Sequence, residues 1–296
     1  MSDVGLYGKI DAQYEKYLIN HGNIPERWLL EQTILTGPSR RGILKLLPIQ
    51  AGAQILDIGT GFGALAFDIA ATLPVTVTAV DADPAVLHVA NALYQQMGSE
   101  QCFLASSQLS LIQGDAYQLP FPDATFDFVL ARFVYQHLQN PRRATDELAR
   151  VLKPEGHVCV MDVDDQWTLT YPEDNGALAK LRMAVGRLQS LQEGDRFVGR
   201  KLANYLYDAG LSVVGSVIYP EAQFTTRPQT DPGMALTFRR FQELRQSVLD
   251  HGLMCAEEFD GCLEEVRTGT SGPSFHASGL MVVLGRKLAR SSEVPL

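Results

Sequence analysis

The chain has 296 residues, 46% hydrophobic and 20% charged, and its 25 Lys and Arg against 34 Asp and Glu give a formal charge of −9. An acidic chain with no basic run lacks the phosphate-neutralising cations on which general DNA or RNA binding depends, and a chain this long and apolar buries a core instead of remaining disordered. Cys102, Cys159, Cys255 and Cys262 form no Cys-x-x-Cys and have no histidine at ligand spacing, so neither a metal site nor a disulfide framework is expected.

Residues 1–50 read as helical, with Tyr7, Ile10, Tyr14, Tyr17 and Leu18 at spacings of three and four. Charges interrupt residues 1–19 too often for a signal peptide, and no run approaches the roughly 18 apolar residues of a membrane span, so a cytoplasmic chain with no membrane partner is expected. Pro25 opens a second segment through Trp28 and Leu29. Gly37-Pro38-Ser39 breaks it, with Ser39 as the expected cap of a helix reaching Leu47. The four aromatics Tyr7, Tyr14, Tyr17 and Trp28 suit either a lid or core packing.

From residue 54 the pattern changes to short apolar runs alternating with helical segments, the signature of a parallel sheet with crossover helices. Strands are predicted at 54–58, 75–80, 109–113, 126–130 and 157–162. The run 75–80 is apolar or small on both parities, as in a strand covered on both faces. Asp83-Pro84 supplies a cap and a first-turn proline for a helix to about residue 97. Asp127 is expected on the solvated edge of its strand.

Beyond the fifth strand, 172–191 carries Leu178, Leu181, Val185, Leu188 and Leu191 on one helical face. A helix at 200–209 ends at Gly210 as a left-handed cap. Strands at 212–219 and 280–284 bracket an insertion, 220–277, with Met234, Leu236, Phe238, Phe241, Leu244 and Val248 in helical register. A connection that long predicts a lid. The polar tail 291–296 reads as loose.

The first chemical motif is Ile55-Leu56-Asp57-Ile58-Gly59-Thr60-Gly61-Phe62-Gly63, a strand running into a glycine turn and a helix. Gly59, Gly61 and Ala64 also satisfy the dinucleotide pattern, and Asp81 lies 22 residues after Gly59, where a ribose-binding acid would sit. An NAD(P)-dependent oxidoreductase is therefore the alternative to defeat. Against it, Asp57 at the strand's end would repel a pyrophosphate and suits a cationic ligand. Gly114-Asp115-Ala116 places a carboxylate and an N–H where an adenine edge can be read. Phe126-Asp127-Phe128-Val129 and Leu152-Lys153-Pro154-Glu155-Gly156-His157-Val158 follow in order.

On these motifs residues 54–163 resemble the core of a class I S-adenosylmethionine-dependent methyltransferase, in the small-molecule and ubiquinone-type branch. The likeness continues more weakly through Gly199-Arg200-Lys201 and Ala209-Gly210-Leu211. It implies an α/β fold: a seven-stranded, mostly parallel sheet in the order 3-2-1-4-5-7-6, the last strand antiparallel, with helices on both faces. The N-terminal segment 1–50 would cap a methyltransferase domain at 51–296, joined in the lid by the insertion. The cofactor implied is S-adenosyl-L-methionine. By the same resemblance Asp57 would meet its ammonium, and Gly59, Thr60, Gly61 and Gly63 would form the floor. Asp81 would accept from the ribose hydroxyls, Ala82 would pack on adenine, and Asp115 and Ala116 would read its edge. Ala131 and Arg132 would border the sulfonium, and Arg40 or Arg41 would pair with the carboxylate.

The acceptor expected is a small molecule, methylated by in-line displacement in which alignment supplies most of the rate. His137, Tyr135 and Asp164 are the candidate catalytic groups for removing a proton; for His137 structural packing is the competing reading. Asp162, Asp164 and Asp165 suit substrate contacts, a metal or a solvated turn, and no metal is assigned. The remaining alternative is a non-catalytic S-adenosylmethionine-binding regulatory module.

Overall fold

Seven strands form one sheet because each is apolar on the faces that helices cover. The computed structural model describes residues 3–22, 24–173, 176–226, 231–268 and 272–289, so the tail lies outside the described residues. The strands are β1 (Gln54–Ile58), β2 (Thr76–Asp81), β3 (Gln108–Gln113), β4 (Phe126–Arg132), β5 (Leu152–Tyr171), β6 (Ser212–Thr225) and β7 (Ser274–Arg286). Their order is β3-β2-β1-β4-β5-β7-β6, as the resemblance implies. The first five pair in parallel, and β7 runs antiparallel to both its neighbours.

Strand parity divides the core. Ile55, Phe128, Leu130, Cys159 and Val282 face one layer, with Ile10 and Tyr14 of α1 (Asp3–Asn20), Ile43 of α3 (Gly37–Leu44), Phe67 of α4 (Ala64–Thr72) and Leu93 of α5 (Pro84–Ser99). Leu56, Val129, Ala131 and Val160 face the other, against Leu148 of α6 (Pro141–Val151) and Leu206 of α8 (Leu202–Asp208). A third cluster joins α7 (Ala177–Leu191), α9 (Pro232–Asp250) and α10 (Ala256–Thr268) through Leu181, Phe241, Val248 and Phe259.

Several local expectations hold. Asp83 caps α5 by accepting from the Ala85 N–H, and Gly210, at φ 79°, follows the last turn of α8. Others are corrected. Ser39 is not a cap: α3 starts directly after Thr36 with Pro38 in its first turn, and the Ser39 hydroxyl donates to the Thr36 carbonyl. α7 begins five residues after Pro172; Ala177 and Ala184 are buried beside Leu178, Leu181 and Leu188, Val185 is partly buried, and Leu191 is exposed. Of the two readings open for Tyr7, Tyr14 and Tyr17, core packing holds; the Tyr14 hydroxyl donates to the Phe62 carbonyl at 3.0 Å. Asp127 is a staple at the amino end of the sheet, accepting from the Gln54 N–H and from Lys153, and these bonds hold it below the usual carboxylate range against the cost of burial.

The largest departure lies at the far end of the sheet. β5, β6 and β7 run past the expected ends, with β6 and β7 in antiparallel register from Tyr219↔Leu280 to Thr225↔Ser274. The connection between them therefore shrinks to 226–273, and both ends of the expected lid, 220–225 and 274–277, are sheet. Trp167-Thr168-Leu169-Thr170-Tyr171, alternating β-branched and large apolar residues, already carries the strand signal.

Among the described residues no helix is long and apolar enough to cross a membrane, and no group of three metal-ligating side chains occurs. The four cysteines are free.

Candidate active site

A cavity of about 1140 Å³ opens beyond the carboxyl ends of β1, β2, β4 and β5, where open α/β sheets bind ligands. It exceeds the roughly 300 to 1,000 Å³ of a site for one drug-sized molecule, leaving room for two reactants.

The glycine turn forms one half. Asp57, at the end of β1, is buried, and its Oδ2 accepts from the Thr60 hydroxyl at 2.7 Å. Burial outweighs that bond and pushes its carboxyl up to about 7. Gly59 has φ 63°, and a Cβ there would lie 2.4 Å from Val134 Cγ2, so the turn requires glycine. The Gly61 N–H donates to Asp81 Oδ2 at 2.8 Å, while Asp81 Oδ1 accepts from the Asp83 N–H. One carboxylate thus ties the β1 turn to the start of α5. Ala82, Asp115 and Ala116 line the same half, with Asp115 accepting from the Tyr117 N–H at 2.8 Å.

Three expectations fail here for stated reasons. Gly63 does not line the cavity; a Cβ at this residue would lie 2.4 Å from the Phe67 ring, so it is glycine for packing. Ala131 faces the α6–α8 layer by strand parity. Arg40 and Arg41 both bind Asp68, away from the cavity.

Arg132 does line it. Its guanidinium carbon lies 4.0 Å from the Phe133 ring centroid, and Phe133 holds φ 60°, a strained value for a bulky residue. The Arg132 Nε and Nη2 are buried with no hydrogen-bond partner among the described residues. Burial, and then repulsion from Arg40, push this group down to about 9.

The other half is built from α2 (Arg27–Leu35), α7, α9 and the extended strands. Trp28 and Gln32 of α2 face Thr237 and Arg240 of α9. The Arg240 guanidinium lies 4.0 Å from the Trp28 ring, and Arg239 bonds Glu31 at 2.8 Å, so α2 and α9 form a joined roof. Glu221, His276 and Ser278 come from the β6–β7 extension. Sequence reasoning missed Arg240, which reaches the cavity from α9, and Glu221 and His276, which reach it through that extension.

Of the three candidate proton acceptors, only His137 remains. It sits in a one-turn 3-10 helix, Tyr135–His137, lines the cavity, and is held below its ordinary value by burial and then by Arg196 and Arg240. Tyr135 is buried away from the cavity with its hydroxyl on Thr145 at 2.9 Å. Asp164 borders the cavity, but Arg200 grips both its oxygens at 2.5 Å and keeps it well below the usual carboxylate range. Asp165 is forked by Arg196, and Asp162 is buried under the Gln136 and Val163 amides, with burial pushing it up to about 7. The three acids are structural anchors.

Residues 56–160 match the family described as Methyltransferase domain. The chain is 27% identical over 248 residues to the 27-O-demethylrifamycin SV methyltransferase of Amycolatopsis mediterranei (strain S699), covering 82% of this chain and 80% of that one. It is 30% identical over 161 residues to the demethylmenaquinone methyltransferase of Tropheryma whipplei (strain Twist), and 31% identical over 132 residues to the methyltransferase YcgJ of Bacillus subtilis (strain 168). These matches cover 54% and 45% of this chain, and only 63% and 49% of the relatives' own lengths. The crystal structure of YcgJ superposes with a TM-score of 0.52 at 21% identity, over 85% of this chain and 99% of that one. A Bacillus halodurans C-125 protein gives 0.56 at 19% identity, over 84% and 99%.

Proposed function

The chain belongs to the class I S-adenosylmethionine-dependent methyltransferases, and on that premise we propose that it methylates a small molecule held between α2, α7 and α9. The observation that carries this reading is the joined roof: Arg240 stacked on Trp28 and Arg239 bonded to Glu31 close the acceptor half of a cavity whose other half is the glycine turn. Such an enclosure suits a compact acceptor better than a polymer.

The cofactor, when bound, supplies a methyl group on a sulfonium. The residues present fit it: Asp57 is a buried carboxyl that a neighbouring cation would hold ionised, and a dinucleotide's pyrophosphate offers no cation. Asp57 would take the ammonium, Asp81 the ribose hydroxyls, and Asp115 with Ala116 the adenine edge, while Thr60 holds Asp57 in place.

At the acceptor, the roof excludes water and orients the nucleophile, which is where in-line transfer gains most. His137, kept neutral by burial and by Arg196 and Arg240, can accept a hydrogen bond or a proton from that nucleophile.

The test is incubation of the full chain with methyl-labelled S-adenosylmethionine and a panel of small hydroxyl- and amine-bearing compounds, beside RNA and protein extract. Label in a small molecule supports the reading, and label only in macromolecules overturns it. Tight S-adenosylhomocysteine binding with no transfer to any class would favour the regulatory-module alternative.

A further inference from the structure

We propose that Arg132 is the seat of the cofactor's methionine carboxylate, an inference that rests on the cofactor reading above. The parity of β4 sends its last side chain to the α1–α4 face, into the cavity beside the glycine turn. Its charge is felt at Asp57, so the two lie close enough to interact electrostatically.

Arg132 is a cation with nothing to hold. No carboxylate lies within ion-pairing distance among the described residues, and Nε and Nη2 are buried without partners. Its neighbour Arg40 repels it, and Glu221, Asp162 and Asp68 attract it only at a distance, with no hydrogen bond to any of them among the described residues; the Oε1 of Glu221 is itself buried and unpartnered. Two guanidinium nitrogens sealed from water without a partner are costly, and are retained where something brings them an anion.

The unpartnered atoms identify the anion. Nε–H and Nη2–H lie on one edge of the guanidinium plane, parallel and spaced to meet the two oxygens of one carboxylate. Arg132 and Asp57 together place a cation and an anion side by side at the end of β4 and β1, adjacent strands in the sheet. That arrangement complements an α-amino acid zwitterion, with the ammonium at Asp57 and the carboxylate at Arg132. The Phe133 ring under the guanidinium fixes its plane, and the left-handed φ of Phe133 is the backbone strain that brings that ring there.

The experiment is a calorimetric binding cycle on the full chain with S-adenosylhomocysteine and its carboxamide, which lacks only the carboxylate charge. Wild type should prefer the carboxylate about ten- to a hundredfold, the range for charge-assisted hydrogen bonds, and Arg132→Met should bind both ligands as wild type binds the carboxamide. Arg132→Lys should keep part of the preference. The ligand-free melting temperature of Arg132→Met should equal or exceed wild type, because an unpaired buried charge has gone. A preference that persists in Arg132→Met overturns the proposal, as does an equal loss for both ligands or no preference in wild type. A failure of wild type to bind S-adenosylhomocysteine overturns the cofactor reading instead.

Discussion

Arg40 of α3 and Asp68 of α4 form an ion pair 2.7 Å long with both side chains completely buried. Arg41 meets the same carboxylate at 3.1 Å and forks onto Asp11 of α1, so this one arginine ties α1, α3 and α4 together. Asp68→Asn should therefore leave the buried Arg40 without its counter-ion, while Arg41 keeps Asp11, and cost about 3–5 kcal/mol, the penalty for breaking a buried pair. Urea unfolding measures this loss. Because neither arginine lines the cavity, S-adenosylhomocysteine affinity of the folded fraction should stay at the wild-type level.

Deleting residues 1–20 should unfold the protein instead of opening a lid. Ile10 and Tyr14 are fully buried, and Tyr14 donates to the Phe62 carbonyl next to the glycine turn. Cofactor binding and turnover should fall together, with a collapse of the melting transition. A truncated chain that keeps its melting temperature and loses turnover alone would return α1 to the lid.

Asp57→Asn should make the free protein more stable at pH 8 while weakening cofactor binding. The Asp57 carboxyl is raised to about 7 from an ordinary value near 3.8, so its contribution is fully present below the ordinary value and is lost as pH rises through the raised one. An amide avoids that loss and still accepts from Thr60. The gain should be about 1–3 kcal/mol above pH 8 and vanish toward pH 4, as read from melting curves at both. A lower melting temperature at pH 8 would show that the carboxylate is satisfied without ligand.

His137→Ala should lower turnover by less than about a hundredfold, the lower end of base catalysis, because the roof does the aligning. Since burial, Arg196 and Arg240 depress His137, its neutral form persists below the ordinary value of 6.5. Any acidic limb in kcat/KM should therefore fall below pH 6.5. The sign for stability agrees: the contribution stands above pH 6.5 and is lost as pH drops through the lowered value. A thousandfold loss at unchanged cofactor affinity would make His137 an essential base.

The glycine-turn half of the cavity was legible because its residues are local in sequence. Asp57, Gly59, Thr60 and Gly61 share one turn, Asp81 closes β2 and Asp115 lies two residues past β3, so spacing alone brings them to one end of the sheet. Gly63 misled because a left-handed glycine serves packing and ligand approach equally well, and only the position of Phe67 separates the two. Arg40, Arg41 and Asp164 misled because each resembles a ligand-binding charge until its partner, Asp68 or Arg200, is known; those partners are 27 to 36 residues away. The acceptor half was illegible for the same reason in stronger form. Arg240 meets Trp28 across most of the chain's length, and Glu221 and His276 enter the wall only because the strands overrun their expected ends.

That overrun changes how the acceptor pocket can diverge. Most binding walls are loops, where a changed residue shifts its neighbours' backbone as well. Here Glu221, opposite Ser278, and Gln223, opposite His276, sit on a hydrogen-bonded ladder, with every second residue turned the same way. Such a wall works like a keyboard: one side chain can be exchanged while the backbone beneath it stays put. Under the proposed function, new acceptors are then reachable by single substitutions that leave the glycine turn untouched.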